Sequence, residues 1–216
     1  MKEFACVATL LLGLSAAGTA SCEALNGSAS IEQIGGHSAE VNQSGRRNTA
    51  LVDQRGAFSA FASVSQSGAD NSTKVRQSGP GLESAYLTQS GNENCIELDQ
   101  AFGATTKLSQ AGNNNVAEIS QSGAANLRAT QNGSMNYSKA QQSGNGNSAT
   151  LDQLGNSNQA LQTQIGTSNT QTVSQTGNNN FLEYKQLGSG LPDLKVVQKG
   201  GMAVSITQMP GSTKYN

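Results

Sequence analysis

The chain has 216 residues, of which 35% are hydrophobic, 4% aromatic and 12% charged, with a formal net charge of −1. So few apolar and aromatic side chains exclude an ordinary globular core of this length, and so little net charge argues against a disordered, self-repelling chain. An acidic balance, with a pI near 5.8, also argues against a protein built to hold nucleic acid.

The first residues have the layout of a secretory leader. Met1-Lys2-Glu3 precedes an apolar run from Phe4 to Leu14 and then small residues through Ala20 and Ala24, a run too short to span a bilayer. A signal peptide over 1–24 is expected, cut after residue 20 or 24, with a lipoprotein-type cut before Cys22 as the weaker option. Cys6 leaves with such a leader and Cys95 stays, so the mature chain has no disulfide framework. A short segment, 25–30, follows.

From 31 to 209 the chain repeats itself, and 210–216 form a tail. Gln-x-Gly recurs at intervals of 10, 11 or 12 residues, at Gln33, Gln43, Gln54, Gln66, Gln77, Gln89, Gln110, Gln121, Gln131, Gln142, Gln153, Gln164, Gln175, Gln186 and Gln198; Gln100 and Gln208 have one extra residue before their glycine. Turn glycines follow at Gly45, Gly68, Gly91, Gly112, Gly123, Gly133, Gly144, Gly155, Gly166 and Gly177. The unit extends to an asparagine at Asn48, Asn71, Asn94, Asn115, Asn126, Asn136, Asn147, Asn158, Asn169 and Asn180. Such register is the signature of a solenoid.

An eleven-residue period also suits a right-handed helical supercoil, but the glycines exclude helix. At about 1 kcal/mol each, fifteen of them would cost on the order of 15 kcal/mol, more than a typical domain's whole stability. The apolar residues also lie two apart, as in strands. Asn147, Ala149, Leu151 and Gln153 share one face, with Ser148, Thr150 and Asp152 on the other; Gln162 stands in an aliphatic position, with Leu161 and Phe181 outward. The expected fold is all-β, a solenoid of about 17 short strands, two per coil, stacking into a cross-β fibre. Identical amides stacked at strand spacing can each donate to one neighbour and accept from the other, so a polar interior is satisfied.

The Gln-x-Gly-x-x-Asn-x-Ala-x-aliphatic-x-Gln unit, complete or nearly so from Gln43 to Gln54 and from Gln142 to Gln153, resembles the curlin repeat of bacterial curli subunits. The resemblance implies a structural subunit, secreted across the outer membrane by curli-type machinery, that polymerises with itself and with a related nucleator or major subunit into extracellular amyloid fibres for adhesion and biofilm matrix. Near-neutral charge favours a bulk subunit, while Lys185, Lys195, Lys199 and Lys214 would suit a surface-tethered nucleator. Departures are the uneven spacings, the missing asparagines around Gln33, Gln54, Gln77 and Gln198, and Pro80 and Pro192.

The last repeat strand, with Met202, Val204, Ile206 and Gln208 inward and Ser205 outward, is uncharged and is expected to be an open polymerisation edge. No catalytic residue, metal site, cofactor or nucleic-acid partner is expected. The single histidine, His37, falls at a turn-asparagine position, and the acids lack calcium-repeat spacing. Arg46, Arg47 and Arg55 read as a solvated edge. The alternative reading is a monomeric secreted β-solenoid serving as an adhesin or ligand-binding surface.

Overall fold

The computed structural model describes the backbone of residues 7–12, 17–25, 27–56 and 59–215, with side chains for 27–56 and 59–211. Those residues form strands and turns without a helix. Two strands, β1 (Val7–Leu12) and β2 (Ala17–Leu25), precede the repeats. Seventeen follow: β3 (Ser28–Ile34), β4 (Ser38–Arg46), β5 (Thr49–Arg55), β6 (Phe61–Ala69), β7 (Ser72–Ser78), β8 (Ser84–Asn92), β9 (Cys95–Ala101), β10 (Thr105–Asn113), β11 (Val116–Ser122), β12 (Asn126–Ser134), β13 (Tyr137–Ser143), β14 (Ser148–Leu154), β15 (Gln159–Ile165), β16 (Thr170–Thr176), β17 (Phe181–Leu187), β18 (Val196–Lys199) and β19 (Ala203–Met209). A last short strand, β20 (Ser212–Tyr215), closes the chain.

Odd-numbered strands from β1 to β19 make one parallel sheet and even-numbered strands from β2 to β18 another, because each pairs with the equivalent strand two units on; β20 joins the odd-strand sheet, antiparallel to β19. Two strands and their turns therefore make one flat coil, and the repeats stack into a β-solenoid of about eight coils. Ladder register aligns like with like: Leu151 lies between Ala129 and Val173, and Gln153 between Gln131 and Gln175.

Each strand presents three inward positions, which are in most coils a small residue, an aliphatic residue and glutamine. In β14 these are Ala149, Leu151 and Gln153. Ile31, Val52, Val75, Leu98 and Ile119 line one sheet's aliphatic column, facing Val41, Val64, Leu87, Leu108 and Leu151 of the other. The core is consequently thin, one layer of side chains from each sheet.

The turns explain the glycines. Gly112 has φ +114, and a Cβ there would lie 2.0 Å from the carbonyl oxygen of Gly133 in the next coil. Both the backbone conformation and the close approach of stacked turns therefore demand glycine. Immediately before each buried asparagine from Asn48 to Asn180 in the odd-strand sheet stands a residue with positive φ, such as Arg47 (52°) or Asn179 (58°).

Three expectations change. Asn126, read as a turn asparagine, is instead the exposed first residue of β12, since the ten-residue step from Gln121 to Gln131 puts Ala125 in the turn position. Met202 is 43% exposed and precedes its strand, so it does not face inward. The final strand is not wholly open: β20 folds back antiparallel on Ile206–Met209 after the turn at Pro210-Gly211. Parts of the expected leader, 1–6 and 13–16, lie outside the described residues; its described strands β1 and β2 pair with β3 and β4.

Candidate functional site: the amide ladders and the two ends

Every glutamine expected in the ladder is buried at 3% exposure or less. In the odd-strand sheet Nε2 donates to the next Oε1 from Gln33 to Gln54, Gln77, Gln100, Gln121, Gln142, Gln164, Gln186 and Gln208 in turn, at 2.5–3.0 Å. In the even-strand sheet the series runs Gln43, Gln66, Gln89, Gln110, Gln131, Gln153, Gln175, Gln198, at 2.7–2.9 Å. All of these bonds point the same way, donor toward the C-terminal end.

The second amide hydrogen bridges the sheets. Gln43 donates to the carbonyl of Ser28, Gln54 to Ser38, Gln110 to Cys95 and Gln153 to Tyr137, in each case the first residue of a strand in the facing sheet. One side chain thus holds a coil to its neighbour and one sheet to the other. A neutral hydrogen bond contributes about 1 kcal/mol net, whereas a buried amide left unpaired costs about 1–3 kcal/mol, so the repeat spacing decides whether this interior stabilises or destabilises.

The asparagines form a second ladder with the opposite sense. Asn71 Nδ2 donates back to Asn48 Oδ1, and the pattern continues through Asn94, Asn115, Asn136, Asn158 and Asn180, at 2.8–3.1 Å. Each Oδ1 also accepts the next asparagine's backbone N–H, and several Nδ2 groups reach the glycine carbonyl of the coil ahead, as Asn115 does to Gly133. This column belongs to one sheet only. Across the molecule the equivalent positions are His37, Ala60, Glu83, Ala104, Ala125, Asn147 and Asn169; the last two keep the contact to a stacked glycine carbonyl.

Gln33, Gln100 and Gln198, at the ends of the repeat or beside its irregular turns, take their places in the ladder as their spacing requires. Glu83 carries no such signal. Buried at 2% exposure, its Oε1 accepts the N–H of Gly103, a turn contact with no motif to announce it. His37 is likewise buried, accepting from the Ala60 N–H at Nδ1 while Nε2 meets the Ile34 carbonyl.

The two ends differ. At the N-terminal end Gln33 Oε1 is buried without a hydrogen-bond partner, and the residue in register with it is Leu12. At the C-terminal end Gln208 Nε2 donates to the Pro192 carbonyl, and Gln198 Nε2 to Phe181 and Met202. β18 is only four residues long because Pro192 lacks an N–H and Asp193 turns its carboxylate onto the N–H and hydroxyl of Thr172.

Charges sit outside the core. Lys74–Glu97, Lys139–Glu118 and Arg55–Glu32 bridge neighbouring coils of the odd-strand sheet, and Arg47–Asp70 bridges neighbouring turns. Lys74 holds the Glu97 carboxyl below its usual range, and Arg47 does the same to Asp70. Cys95 is half-buried and unpaired; burial, then Glu97 and Glu118, push its thiol pKa up. No group of metal-binding side chains occurs among the described residues.

Fold and interior define a parallel β-solenoid whose coils are joined by directional amide ladders. The family model of the curlin associated repeat matches residues 37–68 and 144–177, consistent with a curlin-repeat protein. No curated protein and no solved structure matches the chain. The two matched segments cover strands near either end, and the coils between them keep the same register and the same glutamine column.

Proposed function

We propose that the mature chain, freed of residues 1–24, is an exported structural subunit that adds head to tail into extracellular cross-β fibres of the curli type. Curlin repeats and a β-solenoid fit a structural fibre subunit and not an enzyme. The observation that carries the reading is Gln33 Oε1, a buried acceptor without a donor at the end of a ladder whose every donor points toward the other end. A second copy whose C-terminal coil sits beneath it offers Gln208, the last glutamine of the same column, as that donor. Loss of the leader uncovers β3 and β4 for the same docking. Adhesion, biofilm matrix, a nucleating or major-subunit partner and curli-type secretion machinery follow from the family and belong to this proposal.

Purified chain beginning at residue 25 should form fibres visible by electron microscopy, with a meridional reflection near 4.8 Å. A chain that stays monomeric at high concentration overturns the reading. The fold-back of β20 favours a second one, a monomeric solenoid with a protected edge, and that result would select it.

A further inference from the structure

The ion pairs among the described residues lie on the outer face of the odd-strand sheet or on its turns. The outer face of the even-strand sheet is different. Tyr86 on β8, Lys107 on β10 and Arg128 on β12 are direct register neighbours, stacked at strand spacing of ~4.8 Å. Lys107 and Arg128 are exposed, and neither has a carboxylate partner among the described residues. Like charges directly opposed across a ladder destabilise it, and no carboxylate among the described residues pairs with either cation.

Beside this column runs another of hydroxyls, Thr88, Ser109 and Thr130, again in register. The two columns border a shallow groove of about 280 Å³. One end is closed by aromatic surface: Phe61 and Tyr86 lie 5.3 Å apart, centroid to centroid, and the Lys107 ammonium sits 5.5 Å from the Tyr86 ring.

We propose that this strip binds a linear, carboxylate-bearing polysaccharide lying along the stacking axis. Lys107 and Arg128 take successive carboxylates, Thr88, Ser109 and Thr130 exchange hydrogen bonds with sugar hydroxyls, and the Phe61–Tyr86 shelf packs on an apolar ring face. Strand spacing is close to the rise per residue of such a polymer, so one sugar meets one coil. Duplex nucleic acid fits worse. It carries a charge about every 1.7 Å of axis and is held by many cations, whereas this strip has two on a chain of net charge −1.

The site does not depend on polymerisation, and its test reads binding in freshly purified soluble chain. Affinity electrophoresis in gels containing alginate should retard the protein, and gels containing neutral dextran should not. Lys107→Gln with Arg128→Gln should weaken retardation about tenfold, whereas Lys74→Gln with Lys139→Gln, which removes two paired lysines of the other sheet, should leave it unchanged. Circular dichroism checks that both pairs keep their β content. Should the first pair fail to fold, the salt dependence of the parent chain decides: a slope of about two released counterions supports the strip, and binding insensitive to salt overturns it. Equal retardation by dextran, unchanged binding in the folded Lys107/Arg128 pair, or preferential binding of duplex DNA also overturns it.

Discussion

Gln131 and Gln162 are both buried amides, yet substitution by leucine should move stability in opposite directions. Gln131 accepts from Gln110, donates to Gln153 and donates to the Val116 carbonyl. Gln131→Leu strands one donor above and one acceptor below, at about 1–3 kcal/mol each, so the denaturant midpoint should fall clearly. Gln162 stands in an aliphatic column between Ala140 and Tyr184, with Oε1 unpartnered and Nε2 held only by a 3.3 Å contact to Thr150 O. Gln162→Leu should therefore raise the stability by about 1 kcal/mol, and the midpoint with it. Equal signs for the two variants would contradict the ladder account. The parity that sets these two apart was legible in the sequence, because Gln162 occupies the aliphatic place of its unit. What was not legible is the second hydrogen bond of each glutamine, since the carbonyl it reaches belongs to the facing sheet, 15–17 residues earlier in the chain for most glutamines. Glu83 was hidden for the same reason: its partner is the Gly103 N–H, one coil on.

Turns and strands fail differently from single side chains. Gly112→Ala must relieve a Cβ placed 2.0 Å from Gly133 O and a φ of +114°, and neither the backbone nor the stacked turn can yield independently. Loss of several kcal/mol is expected, with chemical denaturation showing a large drop relative to an alanine at exposed Gly190, where an added Cβ would meet nothing within 4 Å. Acid should break the ion pairs on the outer face of the odd-strand sheet. The Glu97 carboxyl is held below its usual range by Lys74, and Glu183 by Lys185, so their contributions are present above the unfolded-state pKa and vanish as pH falls through the lower folded value. The amide ladders do not titrate. The contribution of these ion pairs should thus be nearly flat from pH 8 to 5 and decline only toward pH 3, and an unchanged acid profile in Lys74→Gln would contradict it. Sequence periodicity revealed these strands because stacking rewards identity at one spacing. It missed the fold-back of β20, whose antiparallel pairing on Ile206–Met209 follows from one Pro-Gly turn and repeats nothing.

The same spacing rule gives the whole molecule two unlike ends. The acceptor end presents Gln33 Oε1 beneath β3, and the donor end presents Gln208 behind β19. Addition of a new subunit at the acceptor end requires its own donor end, where β20 already occupies the outer side of Ile206–Met209. Parallel in-register pairing with β19 cannot coexist with that antiparallel strand, so β20 must leave before the docked coil is complete. Removing residues 210–216 should accordingly shorten the lag and speed elongation from preformed seeds several-fold, while leaving the monomer's ladders intact. A bare edge at β19 would predict no effect. Ser205→Pro provides the complement: Ser205 lies before the segment covered by β20, in register with Glu183, and proline there removes an N–H that a docking strand or β17 would use. Growth from seeds observed by single-fibre fluorescence should be faster at one end than the other in the parent, and the truncation should narrow that difference. If truncated and parent chains elongate at equal rates, β20 does not obstruct docking, and polarity must be sought at Gln33 alone.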